Sequence, residues 1–268
     1  MAVAHGADPT EVDRALATLQ SPDNAARAQA EAQLEVWSQN PAFLTVLMAR
    51  AHLAQQPGSR QLAATLLAWR IPKLWPGLGE GDARGVQVAL LECFSTCQEP
   101  PVLRSLGEAC NALCQSVAIN RDALWEDLLR LVAGLLRGDS AVHRRAALEL
   151  LAALVDSMGA RLHHYYADIG HMLSACVRDG DTGVRVAALG VVGVAASSWC
   201  LQGEDLQHWL GAADAVLEVA AGALSGPADD NGPRVLAAAL LALAKVAPAL
   251  HCEALCATCA ELACRVLA

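Results

Sequence analysis

The chain has 268 residues and 54% hydrophobic content, enough to bury a sizeable core, and its 4% aromatic content beside abundant Ala and Leu argues for packed helices over a sandwich or barrel. The formal net charge of −9 is uneven: residues 1–80 carry six basic and seven acidic groups, and residues 81–268 carry thirteen basic and twenty-one acidic. A net acidic chain without a Lys/Arg cluster is a poor direct ligand for nucleic acid and a better partner for basic proteins.

From the N-terminus, the first residues lack a charged segment followed by an apolar run, so no signal peptide is expected. The first helical pair is predicted at 10–19 and 24–38, with Thr10 capping the first helix and Ser21 or Asp23 the second. The second pair is 41–55 and 59–75. In its second helix the apolar residues fall on two faces: Leu62, Leu66 and Trp69 on one, Ala63, Ala64, Leu67, Ile71 and Leu74 on the other. A helix apolar on two sides is expected to be buried on two sides. Ser59 is the candidate N-cap, Pro72 is expected to kink the last turn, and Trp75 and Pro76 to end it.

A Gly-rich segment, 77–81, leads to the third pair, 82–97 and 101–118. The fourth is 122–137 and 140–158, turning through Gly138 and Asp139. The fifth is 165–178 and 182–198, with an elbow reading Asp-Thr-Gly-Val-Arg-Val-Ala-Ala-Leu from Asp181 to Leu189, in which Asp181 caps the second helix. The sixth is 204–224 and 233–247, and residues 251–268 begin a seventh first helix. A solenoid needs a polar terminal repeat, whereas this sequence stops on Cys264, Val266, Leu267 and Ala268, so a fragment is expected.

The pairs share a signature, an Arg followed three residues later by a small residue, at Arg27, Arg60, Arg104, Arg145, Arg185 and Arg234, with Leu148 the one large exception. Their steps of 33, 44, 41, 40 and 49 residues belong to arrays of helical pairs. These arginines are read as an elbow ladder, each reaching a carboxylate of its own or the next elbow, in preference to partner contacts. Trp37, Trp69, Trp75 and Trp125 are read as interhelical packing; a Trp found exposed would instead be a binding hot-spot candidate.

Ten cysteines raise the questions of disulfides and metal. Cys93 and Cys97, and Cys110 and Cys114, stand four apart on predicted helices, and only Cys256 and Cys259 form a C-x-x-C, with no second pair at zinc spacing. Buried thiols in a reducing compartment are expected, with a zinc site formed by His251, Cys252, Cys256, Cys259 and Cys264 as the lesser alternative. His163, His164 and His171 lack a ligand set at metal spacing. The uncharged run 186–203 approaches membrane length, but Ser197, Ser198 and Gln202 interrupt it where the repeat demands a buried helix, so no membrane span is expected and the chain reads as soluble and intracellular.

The elbow from Asp181 to Leu189 resembles the HEAT repeat, which implies an all-α, right-handed solenoid of antiparallel helix pairs. A more specific resemblance lies nearer the N-terminus. Ala30 and Leu34, Pro41 and Phe43, then Arg60, Gln61, Ala63, Ala64, Leu67 and Trp75 are similar to the importin N-terminal domain of the importin-beta (karyopherin-beta) family. This implies an importin N-terminal domain over 1–78, followed over 79–268 by HEAT pairs three to six and the start of a seventh. The Leu162-His-His-Tyr165 segment and the Trp-rich end of the second pair lean toward the importin-four type. The sequence departs from the family at Ala68 and Trp69, where Lys-Asn is common.

The resemblance implies a nuclear transport receptor whose N-terminal arm binds the small GTPase Ran in its GTP form, releasing protein cargo held further along. It also implies contact with nuclear pore proteins and shuttling between cytoplasm and nucleus. The residues implied to face Ran are Glu31 and Glu35 on the first inner helix, Arg70 and Lys73 on the second, Asn111 and Gln115 on the third and Glu149 on the fourth; each can equally be part of a solvated helix face. The acidic excess of 81–268 points to basic cargo such as histones or ribosomal proteins. A HEAT scaffold of a multiprotein complex without Ran binding is the alternative. The sequence contains no G-x-S-x-G, no phosphate loop and no His-Glu-x-x-His, and Gly190 and Gly193 fall inside a helix, so no enzyme and no cofactor are expected.

Overall fold

The structure, a computed structural model, describes residues 8–198, 204–225 and 232–249. Among them are twelve α-helices and no strand: α1 (Pro9–Thr18), α2 (Asn24–Trp37), α3 (Phe43–Leu53), α4 (Pro57–Leu74), α5 (Glu80–Thr96), α6 (Pro100–Arg121), α7 (Glu126–Leu136), α8 (Ala141–Met158), α9 (Tyr166–Cys176), α10 (Thr182–Ser198), α11 (Glu204–Ser225) and α12 (Gly232–Ala249). The predicted seventh first helix and its candidate zinc ligands lie outside the described residues. The chain divides into two compact units, Met1–Leu131 and Val132–Ala268, with the division falling inside α7.

Each unit is a double layer, as HEAT pairs require. In the first, α3 packs on α5 in one layer and α4 on α6 in the other, while the antiparallel pair α3 and α4 joins the layers. In the second, α9 lies on α11, and α8, α10 and α12 lie side by side. The core is the apolar sheet of side chains between the layers. In the first unit it includes Leu44, Leu47, Leu67, Ile71, Leu90, Phe94, Leu106 and Leu113, and in the second Leu148, Leu154, Leu173, Val184 and Val192, all at most 1% exposed. Each such side chain contributes roughly 1.5–3 kcal/mol over its exposed state.

Helix starts follow side-chain capping and proline chemistry. Asp23 accepts from the N–H groups of Ala25 and Ala26, and Asp181 from that of Val184 at 2.9 Å. Pro9, Pro57 and Pro100 occupy first turns, where a missing N–H costs nothing. Two predicted caps are corrected. Asp8, not Thr10, caps α1, accepting from the Thr10 N–H at 2.9 Å, because Pro9 already has helical geometry. Ser59 is not the cap of α4, which starts at Pro57 after Gln56; Ser59 is buried in the first turn and its hydroxyl accepts from the Gln20 side chain at 3.2 Å.

Other boundaries shift for local reasons. α6 runs three residues beyond its predicted end to Arg121 and stops where Asp122 takes a left-handed conformation at φ 48°, which delays α7 to Glu126. α8 stops at Gly159, φ 40°, and a 3-10 stretch, Gly159–Tyr165, precedes α9. α4 runs unbroken through Pro72 to Leu74, then tightens into a 3-10 turn at Trp75–Gly77.

Cys93, Cys97, Cys110, Cys114 and Cys176 are buried free thiols. Burial pushes Cys93 up to about 12 and Cys176 up to about 11, so neither is a thiolate at neutral pH. Among the described residues, no helix is long and apolar enough to cross a membrane, and no three His, Cys, Asp or Glu side chains converge as a metal-binding group.

Candidate functional site

Helix α4 carries the largest departure from the sequence reading. Ala63, Ala64, Leu67 and Ile71 are fully buried and Leu74 nearly so, but the opposite stripe is open: Leu62 and Leu66 are half-buried and Trp69 is 73% exposed. The expectation of burial on two sides fails because the neighbour on that side stands away. α4 packs along α6, whereas α2 barely touches α4. Only Ala30, Leu34 and Trp37 of α2 are buried, and the α2 residues turned toward α4 include Ala28 and Ala32, too short to close the gap. What remains between the two helices is an open slot of about 870 Å³.

Polar ties bridge both ends of the slot. At one end the Gln20 amide donates to the Ser59 hydroxyl at 3.2 Å. At the other, Arg70 donates to Glu35 at 2.6 Å, and the Lys73 ammonium stands 3.7 Å from the second Glu35 oxygen. The Arg70 hydrogen bond, its charge and the charge of Lys73 hold the Glu35 carboxyl below the ordinary carboxylate range. Glu31, also exposed on α2, lines the slot and has no hydrogen bond or ion pair among the described residues.

Four of the seven residues assigned to a GTPase thus gather around one slot: Glu31, Glu35, Arg70 and Lys73. Asn111 and Gln115 are half-buried on α6, which is tied to α4 by the Thr65 hydroxyl donating to that of Ser105 at 3.1 Å. Glu149 belongs to the second unit, where it accepts from Arg145 one turn earlier at 2.9 Å. Trp69, expected to pack between helices, is the exposed tryptophan that the sequence makes a hot-spot candidate. Trp37, Trp75 and Trp125 are indeed buried, at 8%, 3% and 4% exposure. The signal for Trp69 was its place on the Leu62 and Leu66 stripe, opposite Leu67.

The six elbow arginines take different partners. Arg60 reaches the Glu99 carboxylate at the next elbow. Arg27 bonds Asn24 within its own first turn, and Arg145 bonds Glu149 along its own helix. Arg185 donates to the Asp179 carbonyl and the Thr182 hydroxyl, both at 3.1 Å. Arg104 is engaged on α6, and Arg234 is exposed at the start of α12, behind an elbow outside the described residues.

The strongest elbow-to-elbow tie belongs to Arg144. Its Nε and Nη2 grip the two Asp179 oxygens at 2.8 and 3.0 Å, while Nη1 donates to the Gly138 carbonyl at 2.9 Å. Burial alone would raise the Asp179 carboxyl, but the Arg144 fork, the Asp181 N–H and the Arg144 and Arg185 charges outweigh it and lower it.

These features can be set beside known proteins. Residues 98–263 match the family model described as IPO5-like, TPR repeats. The match lies downstream of the segment that carried the closest sequence resemblance, and nothing in it favours the importin-four type. No curated protein matches the chain by sequence. Among solved structures, Kap121p bound to Pho4p is similar over 90% of this chain and 23% of its own, at 19% identity and TM-score 0.70. The Kap95:Nup1 complex is similar over 90% and 29%, at 17% identity and TM-score 0.71. Kap121p bound to RanGTP is similar over 90% and 27%, at 16% identity and TM-score 0.60. The chain therefore has the HEAT solenoid fold of karyopherins and spans about a quarter of the length of these structures.

Proposed function

Since the chain belongs to the importin-beta (karyopherin-beta) family, we propose that it serves as the GTPase-binding N-terminal arm of a nuclear transport receptor. The observation that carries this reading is the clustering of Glu31, Glu35, Arg70 and Lys73 on the α2 and α4 face. Charges of both signs at the rim of an open surface favour specific, rapidly formed contacts with a charged protein partner. That similar folds occur in a Kap121p structure bound to RanGTP supports Ran in its GTP form as that partner. Similar folds bound to Nup53p and Nup1 support contact with nuclear pore proteins and hence shuttling between cytoplasm and nucleus.

The mechanism is exchange of partners without catalysis or cofactor. Ran-GTP and cargo bind with opposed preferences for the arrangement of the repeats, and the coupling is reciprocal: each weakens the other by the same factor. The acidic excess of residues 81–268 suits basic cargo, histones or ribosomal proteins among them. The test is binding of the purified chain to Ran loaded with a non-hydrolysable GTP analogue, with Ran-GDP as control, at two salt concentrations. Selective binding to the GTP form that weakens with salt is expected. A folded, helical chain that binds neither form overturns the reading in favour of a HEAT scaffold without Ran.

A further inference from the structure

The slot between α2 and α4 holds more than the charges at its ends. Its α4 wall is a ridge of Leu62, Leu66 and Trp69, spaced by four and three residues, the same spacing by which helices interlock. Its α2 wall is low because Ala28 and Ala32 stop at the Cβ. The ties that bound it, at Ser59 and at Arg70, lie eleven residues apart, about 16 Å of helix or three turns. The backbones of α2 and α4 spend their hydrogen bonds within their own helices. An extended segment laid against these apolar walls would find no partners there for its N–H and C=O groups, whereas a helix brings its own.

Charge completes the description of the occupant. Glu35 is met by Arg70 and Lys73, but Glu31 carries a carboxylate with no partner among the described residues. We propose that the slot is a docking site for a short amphipathic helix of a partner protein, about three turns long. Its apolar side chains at i, i+4 and i+7 pack over Leu62, Leu66 and Trp69, and a Lys or Arg beside them meets Glu31. Trp69 is the anchor: a large, rigid, exposed aromatic beside a preformed cavity has the character of an interface hot spot. The site stands on the geometry of this slot, whichever partner the transport reading supplies.

The experiment is selection of a displayed library of sixteen-residue helix-forming peptides on the purified full chain, followed by affinity measurement of synthetic peptides from the enriched pool. The expected pool repeats apolar residues at i, i+4 and i+7 with a basic neighbour. Such a peptide loses roughly tenfold or more in affinity on Trp69→Ala. On Glu31→Lys it loses about threefold, and exchanging its basic residue for Glu restores that loss. Because Trp69 and Glu31 are exposed, both variants keep the wild-type circular dichroism and melting temperature, so a loss of binding is a loss of the site. An empty pool, a pool without the pattern, or peptides that bind Trp69→Ala as tightly as wild type would each overturn the proposal. Binding of Ran-GTP, measured in parallel, reports on the transport reading and leaves these outcomes unchanged.

Discussion

The junctions between α2 and α4 in the first unit and between α8 and α10 in the second join the second helices of successive pairs, and they are built differently. α8 and α10 pack side by side, and their elbows are clamped by a bidentate Arg144–Asp179 fork whose side chains are only 17% and 14% exposed. α2 and α4 stand apart, and their charged tie, Arg70 to Glu35, leaves Glu35 about half exposed. A fork in a partly dehydrated elbow fixes how two helices meet, whereas an exposed pair merely spans a gap already present. One repeat pattern therefore yields a closed joint or an open one, depending on whether the facing side chains fill the space.

The contrast can be broken most forcefully by adding volume. Ala188→Leu in α10, at a fully buried position, is expected to cost about 2 kcal/mol or more through overpacking. Ala28→Leu, on the open wall of α2, is expected to cost less than about 0.5 kcal/mol. Urea denaturation of the two variants reads the difference directly, and equal costs would mean that the slot is not open. Next comes charge. Arg144→Ala strands a mostly buried Asp179 and is expected to lose about 2 kcal/mol, whereas Arg70→Ala is expected to lose no more than about 1 kcal/mol.

A smaller effect comes from Gly58→Ala. A methyl group there runs into the Gln20 amide and displaces it from Ser59, opening one end of the slot at a cost below about 1 kcal/mol. Adding Ser59→Ala on top is then expected to cost nearly nothing more for the lost tie. The smallest effect is in pH. The Asp179 and Glu35 carboxyls are both lowered in the folded chain, so the stability they contribute is present above the ordinary carboxylate range and lost as pH falls through their folded values. The stability gap between wild type and Glu35→Gln, followed by thermal melting, is expected to close toward acid. A gap that widened instead would reverse the assigned sign.

Much of this is legible in the sequence. The recurring arginines and the apolar spacing located the helical pairs, because both depend on contacts within a repeat of about forty residues. The slot was not legible, because the same Leu62, Leu66 and Trp69 stripe is a buried face or an open wall according to how near α2 stands. That distance depends on α2 using Ala28 and Ala32 where longer side chains would have met α4. The choice between Arg144 and Arg145 failed to show for a different reason. Neighbouring residues sit about 100° apart around a helix, and a count of forty residues cannot resolve which of the two points to Asp179. Asp122 taking a left-handed conformation likewise left no mark that a helix period could detect.

The buried thiols give the first unit a built-in clock. Cys93 on α5 and Cys110 and Cys114 on α6 are at most 2% exposed, are shielded from reagents, and have thiols that burial makes harder to ionise. An alkylating reagent can reach them only when those helices part, so the labelling rate of each thiol measures how often its stretch of the layer opens. Followed thiol by thiol in the presence and absence of a bound partner, those rates would show whether occupying one face of the repeat stiffens the helices behind it.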